Sequence, residues 1–494
     1  MTDQASVPAP PSIELDVSPP AGGAPRTLQG RIGVIELMLT VLAFSAPLSV
    51  VAAFAVFVLA YNSSAPVAFA IAIGLLLLFA VGYTTMTRYL PNPGAFYAYI
   101  TAGLGRYAGL GSSFLAMFGY VTMGVGTVCF FGTVASSLVS DTLHGPVISW
   151  WVYSAMCLAT TGVLGYFRID LSAKVLSVVM GCEVLIVLVF NAAVLIKDGP
   201  EGRSLQPFSL SDFAGGDVGL AVLFAATCFL GFEATAIFRE ETTNPDKTVP
   251  RATYGAVLFI GVFYLASIWL LIVAYGPSHA QTVATENPVA MFQNAVSIYV
   301  GIWATDVVKV LLCSSIFACL LSVQNILARY TYSLGVDRVL PSVLGRIHPK
   351  HGSPYISSLT TSSLLVLVLA GSVLSGRDPA MMYASLAGTG GFAVLVLMFL
   401  TGVSAFTFFR KRTDIVDRRL FHMFIAPALS AISMAIVLYL AITHFTAMTG
   451  GSTIQAWVLQ ITLWGTFVGG VVLAAVYRTR RPATFARIGR QKVG

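Results

Sequence analysis

Two carboxylates stand inside long apolar stretches of this sequence: Glu183 in VVMGCEVLIVLVF and Glu233 in TCFLGFEATA. An ionisable side chain at the centre of a bilayer costs roughly 2.5–3.5 kcal/mol on insertion scales, so one that stands there tends to be functional. Glu183 can bind and release a proton during a conformational cycle, as a coupling group; the rival reading is a neutral structural acid bonded to a neighbouring carbonyl. Glu233 is read first as a brace that accepts from donors in unwound backbone, and second as a contact for an amine. The backbone offers further chemistry. In LAFSAPLSVV (42–51), Ser45, Ala46, Pro47, Leu48 and Ser49 interrupt an apolar run, and Pro47 removes an amide donor and clashes with the preceding turn. Gly231 stands beside Glu233 at a corresponding depth of another run. A helix broken this way exposes amides at one new end and carbonyls at the other, and the interrupted dipole gives them partial charge. Amides around Ser45–Leu48 suit a carboxylate, and carbonyls of Cys228, Phe229, Leu230 and Gly231 suit an ammonium. Ser45 and Ser49 either add hydroxyl contacts or bond to their own helix.

Other chemistries lack their residues. There is no HExxH, no paired-Asp set and no Gly-x-Ser-x-Gly, and the six histidines lie in loops or at the ends of apolar runs. The six cysteines, Cys129, Cys157, Cys182, Cys228, Cys313 and Cys319, fall in apolar runs without CxxC spacing, which reads as packing and not as a metal site. No enzyme, metal or cofactor is expected.

The elements that must position these groups follow from composition. Of 494 residues 56% are hydrophobic and 10% charged, with a mean hydropathy of +0.83, beyond what a soluble domain carries. Apolar runs cover 34–59, 65–87, 108–139, 147–167, 171–196, 217–238, 252–275, 302–332, 355–375, 380–408, 420–443 and 454–477, lengths that suit transmembrane helices of roughly 20 residues. The expectation is an all-α membrane protein with 12 transmembrane helices. Residues 91–109 and 285–300 read as short interfacial segments. With the N-terminus placed in the cytoplasm, all but four of the 28 basic residues fall on that side, the exceptions being Lys197, Arg203, Arg377 and the intramembrane Lys309. Both termini are therefore expected in the cytoplasm, and the net charge of +7 reports topology, with no nucleic-acid partner. Asp306 and Lys309 are expected to pair at (i, i+3). The two breaks open successive sets of five spans; because five is odd, the sets would be inverted repeats. The expected layout is a disordered tail at 1–29, a first repeat at 30–199, a second at 210–412, two extra helices at 413–478 and a basic tail at 479–494.

Three stretches resemble the amino acid/polyamine/organocation (APC) superfamily of secondary transporters. FLGFEATAIFREETTNPDKTVPRATYGAV (229–257) is similar to its sixth-span signature, PNPGAFYAYITAGLGRYAG (91–109) to the segment before span three, and NILARYTYSLGVDRVLPSVLGRIHPKHGSPY (325–355) to the end of span eight. Two departures stand out: Ser-Ala-Pro-Leu replaces the usual Gly-x-Gly of span one, and Leu334-Gly335-Val336-Asp337-Arg338 replaces Met-Ala-Arg-Asp-Gly. The resemblance implies a 5+5 inverted-repeat fold with discontinuous helices 1 and 6, and a substrate site between spans one, three, six and eight. It also implies that Phe229 is an aromatic closing over the substrate from outside, core packing being the equal alternative. Tyr120, midway along span three, would face the same region. Glu183 falls where some proton-coupled relatives carry a Lys. Arg239, Glu240 and Arg329 would form a charge network at an inner gate, the alternative being a solvated loop.

The function so implied is a secondary active transporter, an amino acid permease of the plasma (inner) membrane, working by alternating access as a proton-coupled symporter. The alternatives are an importer or exchanger of an amine or polyamine such as putrescine, and a nutrient receptor that does not transport. Sodium coupling stays open, because Ser314, Ser315 and Ser322 could supply hydroxyls to such a site. The implied partners are a small-molecule substrate and the lipid bilayer; nothing in the sequence specifies an oligomeric state.

Overall fold

The computed structural model describes residues 33–90, 95–167, 173–233, 235, 242–412, 419–449 and 452–489. The expected 1–29 tail, together with Arg239 and Glu240, lies outside them. Within them the chain is helical and contains no β-strand.

The helices are α1 (Val34–Ser45), α2 (Pro47–Tyr61), α3 (Ala65–Tyr89), α4 (Ala95–Leu104), α5 (Arg106–Thr142), α6 (Trp150–Phe167), α7 (Ala173–Lys197), α8 (Val218–Thr227), α9 (Pro245–Tyr275), α10 (Pro277–Glu286), α11 (Met291–Tyr299), α12 (Ile302–Val336), α13 (Tyr355–Leu374), α14 (Pro379–Lys411), α15 (Phe421–Thr443), α16 (Thr453–Arg480) and α17 (Pro482–Arg487). Their starts obey ordinary helix chemistry. Proline occupies the first turn of α2, α3, α9, α10, α14 and α17, where its missing N–H has no intrahelical partner to lose. The side chains of Asp217, Asp378 and Ser452 cap α8, α14 and α16.

Nine helices among the described residues are long and apolar enough to cross a membrane: α3, α5, α7, α9, α12, α13, α14, α15 and α16. Among the described residues each of the twelve expected runs contributes to a helix, but not as twelve uninterrupted spans. The first run divides into α1 and α2 at Ala46, and the sixth yields only the ten-residue α8 before the chain turns. The fourth gives α6, with 18 residues. The protein is a multi-span membrane protein whose packing follows from small residues. Where α5 crosses α14, a Cβ added at Gly390 would lie 2.6 Å from Gly119 O, and one at Gly126 would lie 2.8 Å from Ala387 N. Backbones approach this closely only where side chains are absent. Large apolar side chains instead face outward on α16, where Ile454, Trp457, Val458, Ile461 and Val472 are exposed.

One end of the bundle gathers the arginines of several helix termini. There Lys411 Nζ donates to Gly103 O at 3.0 Å and Arg478 Nη1 to Tyr107 Oη at 3.0 Å. The C-terminal segment folds back over this basic end. Ile488 is buried, Gly489 N donates to Tyr97 Oη at 2.7 Å, and Tyr97 Oη donates to Asp337 Oδ2 at 3.1 Å. At the opposite end the expected Asp306–Lys309 pair does not form. Lys309 Nζ reaches Asp141 Oδ2 at 3.5 Å, while Asp306 Oδ1 accepts from Thr142 Oγ1 at 2.8 Å. Both side chains of α12 thus reach across to the end of α5, which offers partners from a second helix.

Candidate functional site

The first break is a single residue. Ala46 adopts φ 48, ψ 68 in the left-handed region, which costs a non-glycine residue roughly 1–2 kcal/mol. Pro47 then starts α2 at its first position, so the proline is accommodated one residue after the break instead of clashing inside a helix. Because Pro47 has no N–H, Leu48 supplies the first amide donor beyond the break. That donor is occupied: Leu48 N donates to Glu183 Oε2 at 3.3 Å, and Ser315 Oγ donates to the same oxygen at 2.9 Å. Glu183 therefore reaches from α7 to join the start of α2 to the middle of α12.

Ser45 Oγ donates to Leu42 O at 3.2 Å and Ser49 Oγ to Ala46 O at 2.8 Å. Both hydroxyls thus serve their own helix in this conformation. Ser314 and Ser322 do the same, bonding to Leu311 O and Ala318 O. Of the three serines considered for an ion site, Ser315 is the one turned toward the break.

The second break begins where α8 stops at Thr227. Phe229 N and Leu230 N bond back to Ala226 O and Thr227 O in tight turns, and Gly231 takes φ 114, a conformation that side chains rarely adopt. Glu233 holds this turn. Its Oε2 accepts Gly231 N at 2.8 Å, its Oε1 accepts Tyr120 Oη at 3.3 Å, and its carbonyl accepts Tyr83 Oη at 2.8 Å. One acidic residue thereby ties the unwound turn to α5 and α3. Cys228, Phe229, Leu230, Tyr120, Glu183 and Glu233 are all buried.

Tyr264 of α9 is fully buried, with its ring 6.2 Å from that of Phe229 beside the second break. Its hydroxyl has no hydrogen-bond partner among the described residues. Phe229 packs against Phe69 and Tyr264, with centroids 6.5 and 6.2 Å away; in this conformation the ring is core. A different aromatic group stands beyond the breaks, on the side away from the basic end. Phe54 of α2 and Phe224 of α8 have centroids 5.1 Å apart, and Tyr383 of α14 stacks on Phe130 of α5 at 4.9 Å. The sequence reading missed this cluster, although Phe54 and Phe57 follow Ser49 at helical spacing and Phe224 precedes Cys228 by one turn.

Toward the basic end, Tyr120 lies against Tyr330 with centroids 6.1 Å apart, and the buried Tyr330 hydroxyl has no hydrogen-bond partner. Arg329 is exposed. No group of three or more His, Cys, Asp or Glu that could hold a metal ion occurs among the described residues.

Comparisons agree with this architecture. A family profile described as amino acid permease matches residues 36–467. The chain is similar to the branched-chain amino acid permease BcaP of Bacillus subtilis (strain 168), 28% identical over 206 residues, which are 40% of this chain and 42% of that protein. It is similar to the gamma-aminobutyric acid permease of Escherichia coli (strain K12), 25% identical over 329 residues, 64% of this chain and 66% of the relative. The low-affinity putrescine importer PlaP of the same strain is 21% identical over 407 residues, 81% of this chain and 86% of that one. The chain thus spans less than two thirds of the length of the first two relatives.

Proposed function

Because the chain belongs to the amino acid permease family, we propose that it carries an amino acid across the plasma membrane by alternating access, with a proton bound at Glu183 as the coupling ion. The basic end faces the cytoplasm on this reading, as the excess of Lys and Arg there requires. The two broken helices belong to inverted repeats of five spans each, and two further helices, α15 and α16, flank them.

The observation that carries the proposal is the position of the Glu183 carboxylate on Leu48 N, 3.3 Å away, with Ser315 Oγ as its second donor. The first amide past a helix break is where a substrate carboxylate would be received. Two carboxylates sharing one amide repel each other strongly in a buried site. The substrate anion therefore binds when Glu183 holds a proton, and its departure lets the proton leave. Coupling of this kind needs no second ion site. On arrival, the protonated carboxyl turns from acceptor to donor and gives Leu48 N to the substrate. The bond between α2 and α7 is then exchanged for one between α2 and the substrate, so binding alters how the broken helix is held.

The amino group would lie at the carbonyl end of the other break, near Cys228 and Leu230, with Glu233 kept at its bracing task. The named substrates of the three relatives support such a pole, since each carries an amine and two also carry a carboxylate. Calorimetric titration in buffers of differing ionisation enthalpy tests the reading. A neutral amino acid should take up close to one proton per molecule bound. Binding of diamines with no proton uptake, and no binding of amino acids, would replace it with an amine carrier.

A further inference from the structure

A cleft of about 610 Å³ opens at the basic end between α4, the start of α5 and the C-terminal helix α17. Arg106, Arg478, Tyr107 and Thr101 supply its polar wall, and Leu90 and Phe485 part of its apolar one; among the described residues no Asp or Glu lines it. The volume falls within the range of small-ligand sites, ~300–1,000 Å³. Its two guanidinium groups are held by contacts that leave donors unused. Arg106 Cζ lies over the Phe485 ring, 5.3 Å from its centroid, a contact that uses none of its N–H groups as hydrogen-bond donors. Arg478 donates one Nη1 hydrogen bond to Tyr107 Oη. Two arginines brought to one cleft without a carboxylate repel each other and are costly to hold together unless an anion joins them. Arginine also presents a fork of donors that matches phosphate oxygens.

We propose that this cleft binds a phosphate-bearing anion, the headgroup of an anionic phospholipid, with the phosphate between Arg106 and Arg478 and the lipid's apolar part along Leu90 and Phe485. Basic pockets between membrane helices recognise such headgroups by charge and shape. Because Phe485 and Gly489 belong to the C-terminal segment and Arg106 to α5, the ligand joins residues 485–489 to the start of α5. The site is remote from Glu183 and Glu233, so its occupancy does not depend on the identity of the transported substrate.

The test is thermal unfolding of the purified full-length protein in detergent, with added dihexanoyl phosphatidylglycerol, dihexanoyl phosphatidylcholine or inorganic phosphate. Phosphatidylglycerol should raise the midpoint by on the order of 2 °C, and phosphatidylcholine should not. The shift should vanish in the Arg106→Gln/Arg478→Gln variant and persist in Arg377→Gln, a change at the opposite end. Equal stabilisation by inorganic phosphate, still lost in the double variant, would assign the site to a soluble phosphate. Equal effects of the two lipids, or a shift unchanged in the double variant, overturn the proposal. Should the double variant fail to fold, the salt dependence of the wild-type shift decides: it must shrink as KCl is raised, and a salt-independent shift refutes the site.

Discussion

Replacing Glu183 by Gln should separate proton coupling from substrate movement. Gln keeps the length and an acceptor oxygen, so Leu48 N and Ser315 Oγ, at 3.3 and 2.9 Å from Oε2 in the wild type, retain a partner. What disappears is the charge. A substrate carboxylate on the same amide would sit roughly 5 Å from the Glu183 carboxylate, and two unit charges at that separation repel by about 3 kcal/mol at an effective dielectric of 20. That is roughly a hundredfold in affinity. Wild-type binding should therefore weaken by up to about two orders of magnitude from acid to alkaline pH, while Glu183→Gln binds at every pH with the affinity of the acid form. In proteoliposomes the variant should exchange labelled for unlabelled amino acid but no longer accumulate it under an imposed pH gradient. Accumulation at the wild-type level by Glu183→Gln would refute the reasoning. So would a wild-type affinity independent of pH.

Three further outcomes follow from particular contacts. Tyr120→Phe removes the donor to Glu233 Oε1; a hydrogen bond to a charged group is worth about 1.5–3 kcal/mol. Its effect should appear in transport KM and in the unfolding midpoint, and a wild-type KM would show that the unwound turn does not need this brace. Gly391→Val places carbon against Thr227 at the last turn of α8, and overpacking of this kind costs about 1–3 kcal/mol; a thermal melt with no loss would contradict the close approach. At the C-terminus, burial holds the Asp337 carboxyl above its usual value, although Tyr97 and Arg487 pull it down. If the group returns to its ordinary value when the segment lifts, docking is strongest below that ordinary value and weakens as pH rises through the raised one. Hydrogen exchange of residues 482–489 should therefore quicken with rising pH by more than the intrinsic chemical rate does, and a pH-independent protection factor would remove Asp337 from the contact.

The sequence revealed most where a single residue type suffices. Apolar runs identified the helices, because length and hydropathy determine what a bilayer accepts, and Pro47 and Gly231 marked the breaks to within a residue. Family membership was likewise legible in three spaced motifs. Pairings between distant elements were not. Nothing in VVMGCEVLIVLVF says that Glu183 would meet Leu48, which stands 135 residues away; that depends on how α7 lies against α2 and α12. The amides near Ser45–Leu48 were expected to be open to a substrate, and Leu48 N instead has an internal partner. Asp306 and Lys309 matched a local helix rule, yet tertiary neighbours offered each a better contact. The aromatic cluster of Phe54, Phe224, Phe130 and Tyr383 escaped notice because four helices contribute to it and no one of them is unusual.

The fold-back of the C-terminus carries a consequence for how the molecule is made. Tyr97 receives its bond from Gly489, 392 positions later in the chain. During synthesis α4 and the end of α12 must therefore wait, with the hydroxyl of Tyr97 and the carboxyl of Asp337 unshielded from water, until residues 482–489 have been made and can cover them. A chain cut after α16 would contain the nine long apolar helices of the described residues and still lack this closure. Such a copy would differ from the intact chain at its basic end, where Tyr97 and Asp337 would stand uncovered.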